Sequence, residues 1–138
     1  MHELSVMQQV TDSIMEVARE RRATRIDHVH LQVGELTFLE FDQLEFAWEV
    51  YKRNIGPPLE GAELSLERLK ARGNCHSCGY SGLLKVVDFP DSHLTTPVLD
   101  CPECGMIIEV TEGRDLIIRD IRLRVPDEEG EADEGRDR

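Results

Sequence analysis

Two short cysteine repeats, Cys75-His76-Ser77-Cys78-Gly79 and Cys101-Pro102-Glu103-Cys104-Gly105, limit what the middle of this chain can fold into. Each is a C-x2-C turn followed by glycine, and 22 residues separate Cys78 from Cys101. The short gap lets both sulfurs of a pair reach one ion. A glycine directly after the second cysteine can take a positive φ and turn backbone amides toward sulfur. Two such turns supply a tetrahedral four-sulfur site. Cys75, Cys78, Cys101 and Cys104 are therefore read as ligands of a structural zinc, with an iron–sulfur or rubredoxin-like iron centre and a redox dithiol as the other readings. A closed four-sulfur zinc offers no position for water, so it is a staple and not a catalytic centre. Leu83, Leu84, Val86, Val87, Phe89, Ile107 and Ile108 make only a thin core around it. Folding and metal binding are expected to be coupled there.

The flanks have a different pattern. Leu4, Met7, Val10, Ile14, Val17 and Ala18 recur at helical spacing and predict a helix over residues 4–22. Residues 26–33 alternate, with Val29, Leu31 and Val33 on one face and His28, His30 and Gln32 on the other, before Gly34 breaks the strand. Thr37 and Glu40 have capping-box spacing and predict a second helix running to about Tyr51, with Phe41, Leu44, Trp48 and Tyr51 on one face. Residues 62–69 read as a second strand, slipping at Arg68-Leu69, and residues 115–125 as a third. The order predicts an α+β fold: two helices packed on a small mixed β-sheet, with an inserted four-cysteine, zinc-ribbon-like module. Residues 1–70 plus 112–126 form the α+β domain, 71–111 the zinc-binding domain, and 127–138 an acidic disordered tail.

Charge narrows the partners. The chain carries 28 acidic and 16 basic residues, a formal net charge of −12, of which the tail contributes −5. That opposes capture of nucleic acid or an anionic membrane surface, and Lys70, Arg72 and Lys85 near the cysteines form no basic-aromatic stripe. The start has no basic segment followed by an apolar one, and no apolar run reaches about 20 residues, so no membrane insertion and a cytoplasmic location are expected. No phosphate-binding glycine loop, H-E-x-x-H, G-x-S-x-G or paired catalytic carboxylates occur, so no catalytic residues are assigned and the chain is not read as an enzyme.

At the amino terminus, the Met1 amine, the His2 imidazole and a deprotonated amide between them can chelate one ion, a nitrogen set that suits square-planar nickel or copper(II). Taken alone, a histidine near residue 2 is common by chance, and Glu3 is a favourable charge near a helix N-terminus. His28 and His30 share a strand face and leave a second metal site open beside simple exposure. His76 is surplus to a four-sulfur site. Glu35 and Glu40 read as solvated surface or partner contacts, and Trp48 as packing.

Together, Met1-His2-Glu3-Leu4-Ser5, Val33-Gly34-Glu35-Leu36 and the two C-x2-C pairs resemble the HypA/HybF family of nickel-incorporation proteins in NiFe-hydrogenase maturation, over residues 1 to about 125. The resemblance implies that the α+β domain is a nickel-binding domain. Met1 would give its amine, His2 its imidazole and backbone nitrogen, and Glu3 its backbone nitrogen or a tuning carboxylate. Cys75, Cys78, Cys101 and Cys104 match the family's zinc ligands. The chain is thus expected to be a metallochaperone with transferable Ni(2+) and structural Zn(2+). Its implied partners are the hydrogenase large-subunit precursor and a nickel-binding maturation GTPase, with urease maturation served by some members and a homodimer as one assembly. The interval between cysteine pairs is similar to an extended archaeal type, in which a histidine of the zinc domain joins the nickel site. His93 is the candidate here, against an ordinary loop histidine. The competing class is a structural-zinc adaptor that assembles proteins without metal transfer.

Overall fold

The computed structural model describes residues 3–89, 94–98, 100–126 and 131–135. The elements are α1 (Glu3–Glu20), β1 (Arg25–Gly34), a 3-10 turn (Glu35–Thr37), α2 (Phe41–Ile55), β2 (Glu63–Leu69), β3 (Arg72–Asn74), β4 (Ser81–Leu83), β5 (Lys85–Phe89), β6 (Leu94–Val98), β7 (Glu109–Glu112), β8 (Leu116–Arg124) and β9 (Glu131–Gly135). They form two compact units. One holds Met1–Gln32, Leu39–Glu67 and Ile117–Arg138, the other Val33–Phe38 and Arg68–Leu116. The α+β class expected from the sequence is the class observed. Among the described residues, no helix is long and apolar enough to cross a membrane.

In the first unit, α1 buries Met7, Val10, Ile14, Val17 and Ala18, the stripe its spacing predicts, while Leu4 stays half exposed. The helix stops at Glu20, two residues short of the expected end. Arg22 takes a left-handed φ of 56°, the Arg22 N–H donates to Arg19 O at 3.2 Å, and the Ala23 N–H donates to Ala18 O at 2.8 Å. Those bonds are a Schellman closure, made here without glycine. β1 buries Val29, Leu31 and Val33 completely, and Gly34 is its last residue instead of lying beyond it.

Thr37 does not open α2. Its hydroxyl donates to Gly34 O at 2.7 Å and closes the 3-10 turn, Phe38 is left-handed, and Glu40 is the residue that precedes α2, with no side-chain cap of its own. A local bond thus displaces the capping box. α2 buries Leu44, Ala47 and Trp48 and continues to Ile55, since nothing in Lys52-Arg53-Asn54-Ile55 stops a helix before Gly56 and the two prolines.

The sheet order is β2-β1-β8-β9. β8 buries Ile118, Ile121 and Leu123. Glu131–Gly135 forms β9 and pairs antiparallel with β8. The register sets Arg122 opposite Asp133 and Arg124 opposite Glu131.

The second unit has a three-stranded sheet, β4-β3-β7, and the separate antiparallel pair β5-β6. Its core is Ala71, Cys75, Leu84, Cys101 and Ile108, with Leu36, Tyr80 and Val110 packed against them. Leu83 and Ile107, expected inside, are 44% and 82% exposed, because they alternate with the buried Leu84 and Ile108. Backbone bonds hold Val33–Phe38 in the second unit: Gly34 N–H to Asp115 O at 2.9 Å and Leu36 N–H to Gly113 O at 2.7 Å. The approach needs glycine on both sides. A Cβ on Gly34 would lie 2.3 Å from Gly113 O, and one on Gly113, whose φ is 93°, would lie 2.7 Å from the Ala71 Cα.

Candidate metal centre

The two cysteine turns are local copies of each other. In the first, flanked by the pair Asn74–Ser81, the Cys75 N–H donates to Tyr80 O at 2.7 Å and the Gly79 N–H to Cys75 O at 2.9 Å. In the second, flanked by the bridge Asp100–Ile107, the Cys101 N–H donates to Met106 O at 2.6 Å and the Gly105 N–H to Cys101 O at 2.9 Å. Gly79 and Gly105 take φ values of 83° and 80°, the left-handed conformation that the sequence assigned to them. Each turn buries its first cysteine and leaves its second exposed.

All four sulfurs lie within 4.8 Å of one another. Cys75 Sγ is 3.6 Å from Cys104 Sγ, and Cys78 Sγ is 3.6 Å from Cys101 Sγ, so each close pair joins the two turns. A tetrahedral ion with bonds of about 2.3 Å to sulfur has sulfur–sulfur edges of about 3.8 Å, so the cage has the right size for zinc. Among the described residues, this is the only cluster of three or more histidine, cysteine or acidic side chains able to share an ion.

The electrostatics fit the same ion. The Cys78 N–H is the strongest influence on Cys75 and lowers its pKa to about 6, the Ser77 N–H and the sulfurs of Cys104 and Cys78 acting the same way against burial. For Cys78 the Tyr80 N–H lowers the pKa, but burial and the sulfurs of Cys101, Cys104 and Cys75 together push it up to about 12. The Cys104 thiol is raised too. There the Met106 N–H lowers it, while burial and the sulfurs of Cys75 and Cys101 outweigh that effect. The cage by itself therefore favours the thiolate at Cys75 and opposes it at Cys78 and Cys104. Four thiolates this close need a cation among them, and thiolate donors select soft metals such as zinc.

The other candidates are distributed as follows. Met1, His2 and His93 lie outside the described residues. Glu3 opens α1, and its Oε2 accepts the Glu40 N–H at 3.0 Å. His28 and His30 share a strand face, and each side chain meets β2: His28 Nε2 is 2.7 Å from Ser65 Oγ, and His30 Nε2 is 3.0 Å from Glu67 Oε1. His76 sits outside the sulfur cage, 2.9 Å from Glu109 Oε1.

Sequence reasoning missed the task of Glu35. Its carboxylate accepts the N–H of the fully buried Ala71 at 2.9 Å, in the wall of the sulfur core. No local pattern announces a bond between residues so far apart in sequence.

The chain matches the hydrogenase/urease nickel-incorporation metallochaperone family, HypA, over residues 1–123. The hydrogenase maturation factor HypA of Methanopyrus kandleri is 36% identical over 140 aligned positions, covering 94% of this chain and 97% of the relative. The factor of the same name from Chlorobaculum parvum is 31% identical, covering 89% and 99%. The solution structure of the nickel metallochaperone HypA from Helicobacter pylori superposes with a TM-score of 0.65, covering 91% of this chain and 99% of that one. At 19% identity this likeness concerns the fold.

Proposed function

Since the chain belongs to the HypA family of nickel-incorporation metallochaperones and hydrogenase maturation factors, we propose that it carries Ni(II) on its first three residues and hands it on during hydrogenase assembly. The observation that carries this reading is that the family match begins at residue 1 and so takes in Met1-His2-Glu3. In this reading Met1 supplies its amine and His2 its imidazole and backbone nitrogen. Glu3 opens α1, and the first N–H groups of a helix have no partner inside it. An amide there can exchange its proton for a metal without breaking the helical ladder. The Glu3 carboxylate is engaged by Glu40, which favours the backbone nitrogen as the Glu3 ligand. His93 is the proposed additional ligand from the second unit.

Cys75, Cys78, Cys101 and Cys104 would hold zinc, whose charge stabilises four thiolates and staples the two turns. Nickel, by contrast, is cargo. It would leave by ligand exchange to the hydrogenase large-subunit precursor, directly or through a nickel-binding maturation GTPase, in the cytoplasm.

Nickel titration of zinc-loaded protein tests the proposal, with a Gly-Ser extension before Met1 and a His2→Ala variant alongside. Tight binding of one nickel by the native chain alone is the expected result. Equal binding by the extended chain or by His2→Ala would remove the amine and imidazole from the site, leaving the zinc adaptor as the better account.

A further inference from the structure

A groove of about 560 Å³ opens in the first unit between α2 and the start of β2. Trp48 and Lys52 of α2 line it, with Glu45, Glu49 and Glu63 on its walls. The three carboxylate residues are exposed. Lys52 offsets only part of that charge: its Nζ lies 3.2 Å from Glu49 Oε2 and donates to Ala62 O at 3.3 Å. One helical turn before Glu49 on α2, Phe46 is 62% exposed.

Glu63, Leu64 and Ser65 of β2 line the groove, together with His28 of the neighbouring β1. β2 is an outer strand of the sheet, and among the described residues no strand lies beyond it. Such an edge offers backbone N–H and C=O groups to a further strand.

We propose that the β2 edge and the groove beside it dock an extended, basic segment of a partner protein. The segment would add a strand to β2, set Lys or Arg against Glu45, Glu49 and Glu63, and rest an apolar side chain on Phe46. Charge complementarity selects this occupant. A second copy of the chain would bring another strongly acidic molecule to this edge, and two chains of formal net charge −12 repel each other. The formal net charge of −12 likewise steers basic partners toward the molecule. The proposal does not rest on nickel binding and can fail or hold separately from it.

Trp48 is the sole tryptophan, so its fluorescence reports on the groove. The probe is a short synthetic peptide of alternating Lys and Val, added to the full-length zinc-loaded chain. Comparisons use the same peptide with Glu for Lys and with Pro at alternate Val positions. The expected result is a saturable change with the Lys peptide, slowed amide exchange across Glu63–Glu67, and no response to the Glu peptide. Pro in the peptide, which removes strand N–H groups, and the double variant Glu45→Gln, Glu49→Gln should each weaken binding about tenfold. The double variant should keep the native thermal midpoint, which separates lost docking from lost folding. No saturable change, an equal response to the Glu peptide, or self-association that protects β2 without any peptide would overturn the proposal.

Discussion

The Glu3 carboxylate accepts a hydrogen bond from the backbone N–H of Glu40 at 3.0 Å, so the residue that opens one helix satisfies the residue that precedes the other. In a capping box the same N–H is met by a side chain from its own helix. Here the partner comes from α1, and the two helix starts are tied across 37 residues of chain. Glu3→Ala should cost about 0.5–1.5 kcal/mol of the first unit's stability, the net worth of one hydrogen bond. Glu3→Gln keeps an acceptor oxygen and should cost less. Urea unfolding of the zinc-loaded variants decides this, and equal losses would mean that the bond contributes nothing measurable.

Glu35 is expected to matter through Ala71. Glu35→Ala leaves a buried N–H without its acceptor and should destabilise the second unit by about 1–3 kcal/mol, whereas Glu35→Gln should recover most of that. The readout is the rate at which a chromogenic chelator strips zinc from each protein. Matching rates for wild type and Glu35→Ala would show that the sulfur module does not depend on this contact.

Metal removal is expected to destabilise the second unit, and the cysteines should make whatever folded metal-free population remains most stable near pH 9. The folded Cys75 has its pKa depressed from 9.0 to about 6, so between these values the unfolded chain binds the extra proton and stability rises with pH. Below about 6 that contribution is gone. Cys78 is raised from 9.0 to about 12, so above pH 9 the unfolded chain is the one that ionises, and stability falls. Cys104 acts in the same sense as Cys78. Denaturant midpoints of chelator-treated protein across this range test the argument, and a flat or inverted profile would refute the assignment of Cys75 as the first thiolate.

Gly113→Ala should be among the more damaging single substitutions. It forces a side chain onto a φ of 93° and against the Ala71 backbone, a loss of about 3 kcal/mol. Gly61→Ala is the control, because nothing lies within 4 Å of its added Cβ. It should be neutral or stabilise by up to about 1 kcal/mol through the unfolded chain. Thermal unfolding of the two variants should separate them clearly, and similar midpoints would contradict the close approach.

What the sequence made legible was whatever depends on short spacing. The cysteine turns and their glycines, the buried face of Val29, Leu31 and Val33, and the stripe of α1 follow from geometry that repeats within a few residues. Harder to read were the bonds that join distant segments. Thr37 looked like a cap because its spacing to Glu40 was right, yet its hydroxyl had a nearer carbonyl at Gly34. Glu35 looked like a surface acid and Glu3 like a charge at the start of its own helix, and each accepts a backbone N–H more than 30 residues away. The pairing of Glu131–Gly135 depends on a register against β8 that composition does not encode. For Met1, His2 and His93 the nickel assignment rests on the family resemblance.

The two units are interleaved along the chain, and this gives their assembly an order in time. β8 neighbours β1 in the four-stranded sheet, yet it starts at Leu116, 12 residues after Cys104. A ribosome therefore emits the last of the four sulfurs before it emits the strand that the first unit's sheet still lacks. During synthesis the four sulfurs can gather around an ion while the other unit is incomplete, so metal loading there can precede the completed fold that carries the amino terminus.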